Sequence, residues 1–324
     1  MPVTFRRRTL GYASAMVLSS VAVISATRRT EAAPHFAPPD TTLSARTARL
    51  TSRNDLIHFV DDSLRGRSGK LFARFVLPGV NAPAGPELTE LFGDSTLDEP
   101  GVYPLSGDSL AEPFAFVSLV PFSAKPGATL GAYHIGFWPG EHRAVSRDYA
   151  NPVGFIEVTP ANVDVRVSEH FRLRDFLTHD QTKVWPKYLV LRTDLVDKLE
   201  LVIEDLQKNG VPVKHMTVMS GFRTPQYNAT GGDPSGRVEM SRHMYGDASD
   251  VFVDNDFDGK MDDLNHDGRI DYRDAQVILA AEERVEAAHP ELVGGGGVYK
   301  GTRAHGPFTH IDVRGTRSRW GLTE

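Results

Sequence analysis

The stretch that decides the reading is Ser241-Arg242-His243-Met244-Tyr245-Gly246-Asp247-Ala248-Ser249-Asp250. Within it lies His-x-x-Gly-x-Ala-x-Asp. Gly246 permits a tight turn after the histidine. Ala248, two residues before Asp250, shares its strand face and leaves space beside it. A histidine and a carboxylate presented this way are N and O donors of the kind zinc takes at ~2.0–2.2 Å, with one position left open in a catalytic site. A further donor stands downstream at His310, in His305-Gly306-Pro307-Phe308-Thr309-His310-Ile311-Asp312. The chain has twelve histidines, and a lone one in a strand is usually a satisfied core or surface residue.

Composition narrows the chemistry. The 324 residues are 40% hydrophobic and 24% charged, the profile of a soluble globular protein. A net charge of -6, with no basic stripe after the N-terminal segment, gives no reason to expect nucleic acid as a partner. Cysteine is absent, which excludes disulfides, thiolate zinc sites and thiol nucleophiles, so a transition metal must be held by His and carboxylates.

Outward from the motif, the chain divides by style. Arg6, Arg7 and Arg8 precede an apolar run from Leu10 to Ala26, shorter than the ~20 residues of a usual membrane span. Residues 1–33 are therefore expected to be an export signal or an uncleaved N-terminal anchor, placing the protein in the periplasm or cell envelope. The pair Arg7-Arg8 also fits a twin-arginine signal, a pattern common enough to decide nothing. Residues 34–46, rich in Pro, Thr and Ala, read as a linker. Residues 47–163 alternate short apolar runs with Pro- and Gly-rich breaks, and are expected to form a β-rich accessory domain. Residues 164–324 read as α+β. Ser168 is placed to cap a short helix through Phe176. Thr193 or Asp194 is placed to cap an amphipathic helix bearing Leu195, Leu199, Val202 and Leu206, which Asn209-Gly210 stops. Strands are expected at 213–219, 248–253 and 309–313, and a long helix at 274–288.

The segment from about Ser168 to Trp320 resembles the zinc D-alanyl-D-alanine carboxypeptidases and dipeptidases, within the wider lysostaphin/D-Ala-D-Ala-peptidase/hedgehog group. Three pieces carry the resemblance in the family's order: Ser220-Gly221-Phe222-Arg223-Thr224-Pro225 with Asn228, the His243 to Asp250 motif, and Phe308-Thr309-His310-Ile311-Asp312-Val313. It implies a small antiparallel sheet with flanking helices, zinc held by His243, Asp250 and His310, and peptidoglycan stem peptides as substrate. The dipeptidase branch has a glutamate three residues before the last ligand, where this chain has Pro307. The carboxypeptidase branch has a histidine five residues before it, which matches His305 and makes it the expected general acid/base or oxyanion stabiliser. Asp312, on the strand face of His310, is either that ligand's partner or a substitute base.

Arg223 is either a surface ion-pair residue or, as the resemblance implies, the fork that meets substrate carboxylate or carbonyl oxygen. Ser220 falls beside it on the substrate-binding side, as a turn or packing residue rather than a nucleophile. Trp320 closes the domain or walls the cleft. An endopeptidase acting on cross-links and a non-catalytic wall-binding protein that keeps the zinc scaffold are the competing readings.

An acidic insertion at 254–274 follows the metal strand. Asp263, Asn265, Asp267, Arg269 (through its carbonyl), Asp271 and Asp274, with Gly268 at position 6, match a 12-residue calcium loop and resemble dockerin loops. An earlier set, Asp254, Asp256 and Asp258, overlaps it and ends on Asn265 rather than a carboxylate. One calcium site, or two sharing ligands, is expected to brace the connection behind Asp250. The bland reading is a solvated acidic turn.

Overall fold

The computed structural model describes residues 64–78, 99–105, 114–231 and 237–321. The expected export segment, the linker and residues 47–63 lie outside these. Thirteen short strands are described: β1 (Ala73–Val76), β2 (Gly101–Leu105), β3 (Phe114–Ser118), β4 (Val120–Pro121), β5 (Thr129–Leu130), β6 (Tyr133–His134), β7 (Gly154–Val158), β8 (Lys187–Leu189), β9 (Met216–Ser220), β10 (Ala248–Val253), β11 (Gly295–Tyr299), β12 (Phe308–Asp312) and β13 (Ser318–Trp320). With them come helices α1 (Thr193–Lys208), α2 (Pro225–Thr230) and α3 (Tyr272–Ala288). The class is α+β, as expected.

The central element is a five-stranded sheet of order β13-β11-β12-β10-β9. β9, β10, β12 and β11 run antiparallel in turn, and β13 joins parallel to β11. β10 and β12 are buried along their whole length, as apolar and β-branched inner strands should be. β11 is built from Gly295-Gly296-Gly297-Val298-Tyr299, a poor strand former by composition. Its neighbours explain the glycines. A Cβ at Gly296 would meet the Glu282 carboxylate at 2.1 Å, one at Gly295 the Asp312 carboxylate at 2.5 Å, and one at Gly297 the Trp320 indole at 2.1 Å. The strand is thin because large side chains cross it on both faces.

Helices α1 and α3 support this sheet from one side. α1 starts at Thr193 with Arg192 at the cap position and no side-chain capping bond, so the cap expected from Thr193 or Asp194 does not form. Leu195, Leu199, Val202 and Leu206 are buried as their spacing requires. α3 begins two residues earlier than expected because Asp271 caps it, reciprocally with Asp274. The helix expected after Ser168 is a short 3-10 turn at Leu173–Phe176.

The expected boundary at residues 163/164 does not divide two cores. β7 pairs antiparallel with β8 across it, with Ile156 opposite Leu189. One hydrophobic cluster runs from Leu71 and Phe155 to Val251 and Ile311. The Trp138 indole donates to the Met244 carbonyl at 2.9 Å, next to His243. The β-rich segment is a buttress of the metal-motif region, which a composition shift alone does not reveal.

Beneath β11 and β12 sits a buried charge cluster. Lys198 of α1 donates to Glu282 Oε1 and Glu286 Oε1 of α3, both at 2.7 Å, and to the Asp312 carbonyl at 2.8 Å. Glu286 also accepts from the Gly294 amide and from Arg319. Burial pushes Glu282 up to about 7, against the pull of Lys198. Removing the cation strands the buried Glu282 carboxylate, while Glu286 keeps Arg319 and the Gly294 amide, a loss of the order of 3–5 kcal/mol. Lys198→Met should therefore lower the unfolding free energy, measured by denaturant titration, by about that amount. A change below about 1 kcal/mol, the scale of an exposed pair, would show that the cluster does not hold the layers together.

Candidate functional site

The register of the sheet sets the site. Ser220 of β9 lies opposite Asp250 of β10, Asp250 opposite His310 of β12, His310 opposite Gly297 of β11, and Gly297 opposite Trp320 of β13. These five residues form one row across the sheet. His243 reaches the row from a 3-10 turn, Arg242–Tyr245, ended by Gly246 at φ 65°. A Cβ there would meet the Val190 carbonyl at 2.3 Å, so both backbone angle and space demand glycine. Buried Arg242 pairs with buried Asp247 and donates to the Asp148 carbonyl at 2.6 Å, tying the turn down.

Three donor atoms converge. His243 Nε2 lies 3.3 Å from His310 Nδ1 and 3.3 Å from Asp250 Oδ1, and His310 Nδ1 lies 2.9 Å from Asp250 Oδ1. A tetrahedral ion with bonds of ~2.0–2.1 Å spaces its ligands ~3.3 Å apart. The triangle fits that demand. The far nitrogen of each ring is also bonded: His243 Nδ1 donates to the Gly221 carbonyl at 2.7 Å, and His310 Nε2 to Asp312 Oδ2 at 3.2 Å. Each partner turns a ring-nitrogen lone pair toward the centre, as in metal sites generally. His243, Asp250 and His310 could therefore hold a metal ion, and all three are buried.

The two rings differ in charge. Burial pulls His243 down, so that ring stays neutral. Burial opposes charge on Asp250, yet the two imidazoles hold it well below the usual carboxylate range. For His310, burial is outweighed by bonds to Asp250 and Asp312, which lift it to about 9. Asp312 is itself held low: burial opposes its charge, while His310 and Arg314 win.

The other expected residues fall as follows. Arg223 is drawn in: its Nη2 donates to Asp250 Oδ2 at 2.5 Å and its Nε to Ser220 Oγ at 2.8 Å. It steadies the carboxylate that faces both histidines, and Ser220 steadies it in turn. Asp312 is fully buried and saturated by His310, Arg314 and the Gly295 amide, so its carboxylate does not face the cleft as a substitute base must. His305 lies on the exposed loop before β12, bonded to the Gly306 carbonyl at 2.8 Å with its ring against Phe308. No hydrogen bond or ion pair joins it to the trio among the described residues. Trp320 walls the site, its ring 5.1 Å from that of His310. Asn228 is buried and donates to the Val238 carbonyl at 3.1 Å.

In the insertion, two loops repeat nine residues apart. Asp258 N and Asp267 N each donate to the aspartate four residues back, and Gly259 N and Gly268 N to the one five back. Gly259 and Gly268 share φ 79°. Asp254 and Asp256 cluster with Asp262, at position 9 of the first loop, while Asp258 bonds Lys260. Asp262 is the one member that the pattern of loop positions 1, 3, 5 and 12 does not include. In the second loop, Asp274 Oδ1 accepts from Leu264 N and Asn265 N, and Oδ2 from Asp271 N. Asn265 and Asp267 are exposed and Asp263 and Asp271 half-buried, with Arg269 N bonded to Asp267; among the described residues only Asp254, Asp256 and Asp262 of the insertion converge as a metal-holding group.

No protein-family model, curated protein or solved structure matches this chain.

A proton and a metal compete for the same lone pair of His310. Because that ring titrates near 9 while His243 stays neutral, loading a divalent ion at about pH 7.5 should release about one proton. Affinity should fall as pH drops below about 9. Calorimetry in two buffers of different ionisation enthalpy measures the proton count; a count of zero would contradict the assignment of His310 Nδ1 as a donor atom.

Proposed function

We propose that this protein is a zinc metallopeptidase of the cell envelope that hydrolyses peptide bonds in peptidoglycan stem peptides. The observation that carries this is the donor triangle of His243, Asp250 and His310, with each imidazole backed from behind. Two imidazoles and one carboxylate without a thiolate suit a catalytic zinc site, which keeps a position open. Zinc would supply Lewis acidity, lowering the pKa of a water from 15.7 toward ~7 and polarising a carbonyl.

The chain's own groups do the rest. Gly221 and Asp312 fix the imidazole tautomers. Arg223 holds Asp250 from its second oxygen, and its guanidinium, only partly buried, borders the cleft. His305 is assigned the proton transfer from water to leaving amine. Its loop position lets the ring turn, and catalytic distances commonly tighten only when substrate binds. The resemblance of residues 168–320 to D-alanyl-D-alanine carboxypeptidases supports the substrate class; cross-link endopeptidase action is the neighbouring alternative. The N-terminal arginines and apolar run support export, and among the described residues no helix is long and apolar enough to cross a membrane. The rival of another class is a wall-binding protein without turnover, favoured by Pro307 at the family's glutamate position.

Incubation of zinc-loaded protein with purified peptidoglycan, followed by mass analysis, separates these. Release of D-alanine or of cut stem peptides supports the peptidase. Retention on the wall with no released fragment would establish the rival. His243→Ala should lose both zinc and activity.

We also infer calcium in the insertion, held by the Asp263 to Asp274 loop with Asp254, Asp256 and Asp262 adjoining. Its role is structural: the insertion joins β10, which carries Asp250, to α3, whose Ala275 carbonyl accepts from Thr309 beside His310 at 2.8 Å. A ligand bound only to the folded state adds about 2.7 kcal/mol at a hundredfold excess over its Kd. Calcium should raise Tm, and a calcium-selective chelator should reverse this. Coincident melting curves would make the loop a plain acidic turn.

A further inference from the structure

We propose that Tyr299 is a further catalytic residue of this site, its hydroxyl donating a hydrogen bond to the oxygen of the scissile carbonyl as negative charge develops there. This rests on the peptidase reading above. Tyr299 shares a face of β11 with Gly297, the member of the metal-ligand row opposite His310, and stands one same-face step along the strand from it. The bare Gly297 surface is covered by the Trp320 indole, which packs 5.1 Å from the His310 ring. Trp320 Nε1 in turn donates to Tyr299 Oη at 2.9 Å. The phenol oxygen is thus one hydrogen bond away from a ring that touches His310.

Three features make this hydroxyl a donor rather than a packing group. Accepting the indole N–H polarises the phenol, and among the described residues nothing accepts the phenol's own proton. The ring is fixed in orientation by stacking on buried Phe308, at 4.5 Å and 8° between planes, so the hydroxyl is preorganised. Tyr299 is nevertheless 39% exposed, open to a bound substrate. Burial and the charge of Asp250 hold the phenol above its ordinary range, which keeps it protonated at neutral pH. The proton stays on Tyr299 throughout; only a hydrogen bond strengthens.

The test uses full-length zinc-loaded protein, a defined stem peptide, and a phosphinate analogue of the scissile bond as a mimic of the charged tetrahedral oxygens. Tyr299→Phe keeps the ring and its stacking. It should retain zinc and lower kcat 10²–10³-fold, the usual loss for one oxyanion donor, with a similar loss of phosphinate affinity. KM should move by less than about threefold, because the contact is made mainly in the transition state. Trp320→Phe, lacking the indole N–H, should lower kcat in the same direction by less. If Tyr299→Phe binds the phosphinate as the wild type does and turns over at the wild-type rate, the inference is overturned and the peptidase reading stands. If the wild type cleaves nothing and ignores the phosphinate, both fall.

Discussion

One buried carboxylate organises this protein. Asp250 sits in the middle of the central sheet, with His243 and His310 on one oxygen and Arg223 on the other. A buried, charged carboxylate is strongly unfavourable unless opposite charge and hydrogen bonds surround it. Here they do, and the elements supplying them come from distant parts of the chain: the β9–α2 loop, the 3-10 turn before β10, and β12. Meeting that demand fixes where those elements lie. It also leaves the near nitrogens of both imidazoles aimed at one point, which is what a metal ion needs.

Support for that point is layered. Asp312 orients His310, Arg314 and the Gly295 amide hold Asp312, and Lys198 holds the backbone of Asp312 from the helix side. Charge therefore alternates from the site into the space between α1 and α3, each sign neutralised by the next. The glycines of β11 are part of the same solution, because side chains there would displace Asp312, Glu282 or Trp320.

The motif at residues 243–250 was legible because its parts are local: Gly246 announces a left-handed turn, and the two-residue period puts Ala248 and Asp250 on one face. Ala248 pairs with Asp312 of β12, the carboxylate behind His310. The unread parts are those set by distant packing. Four consecutive glycines do not look like a strand until the residues crossing them are known. The pairing of β7 with β8 crosses a change in composition that reads as a boundary. Arg223 reads as a surface ion-pair residue or a substrate fork, but its preference for Asp250 depends on how the loop after β9 lies against β10. His305 matches a spacing, and spacing alone does not say which way a loop side chain turns. Tyr299 carries no local signal at all; only its bond to Trp320 brings it to the site.

The claim on which all of this turns is that the two histidines and Asp250 bind zinc together. X-ray absorption at the zinc edge, on protein loaded with one equivalent, tests it most directly. Two imidazole nitrogens and light oxygen ligands at ~2.0–2.2 Å are expected, with one imidazole lost in His310→Ala. A shell of oxygens without imidazole scattering, unchanged by that substitution, would contradict it.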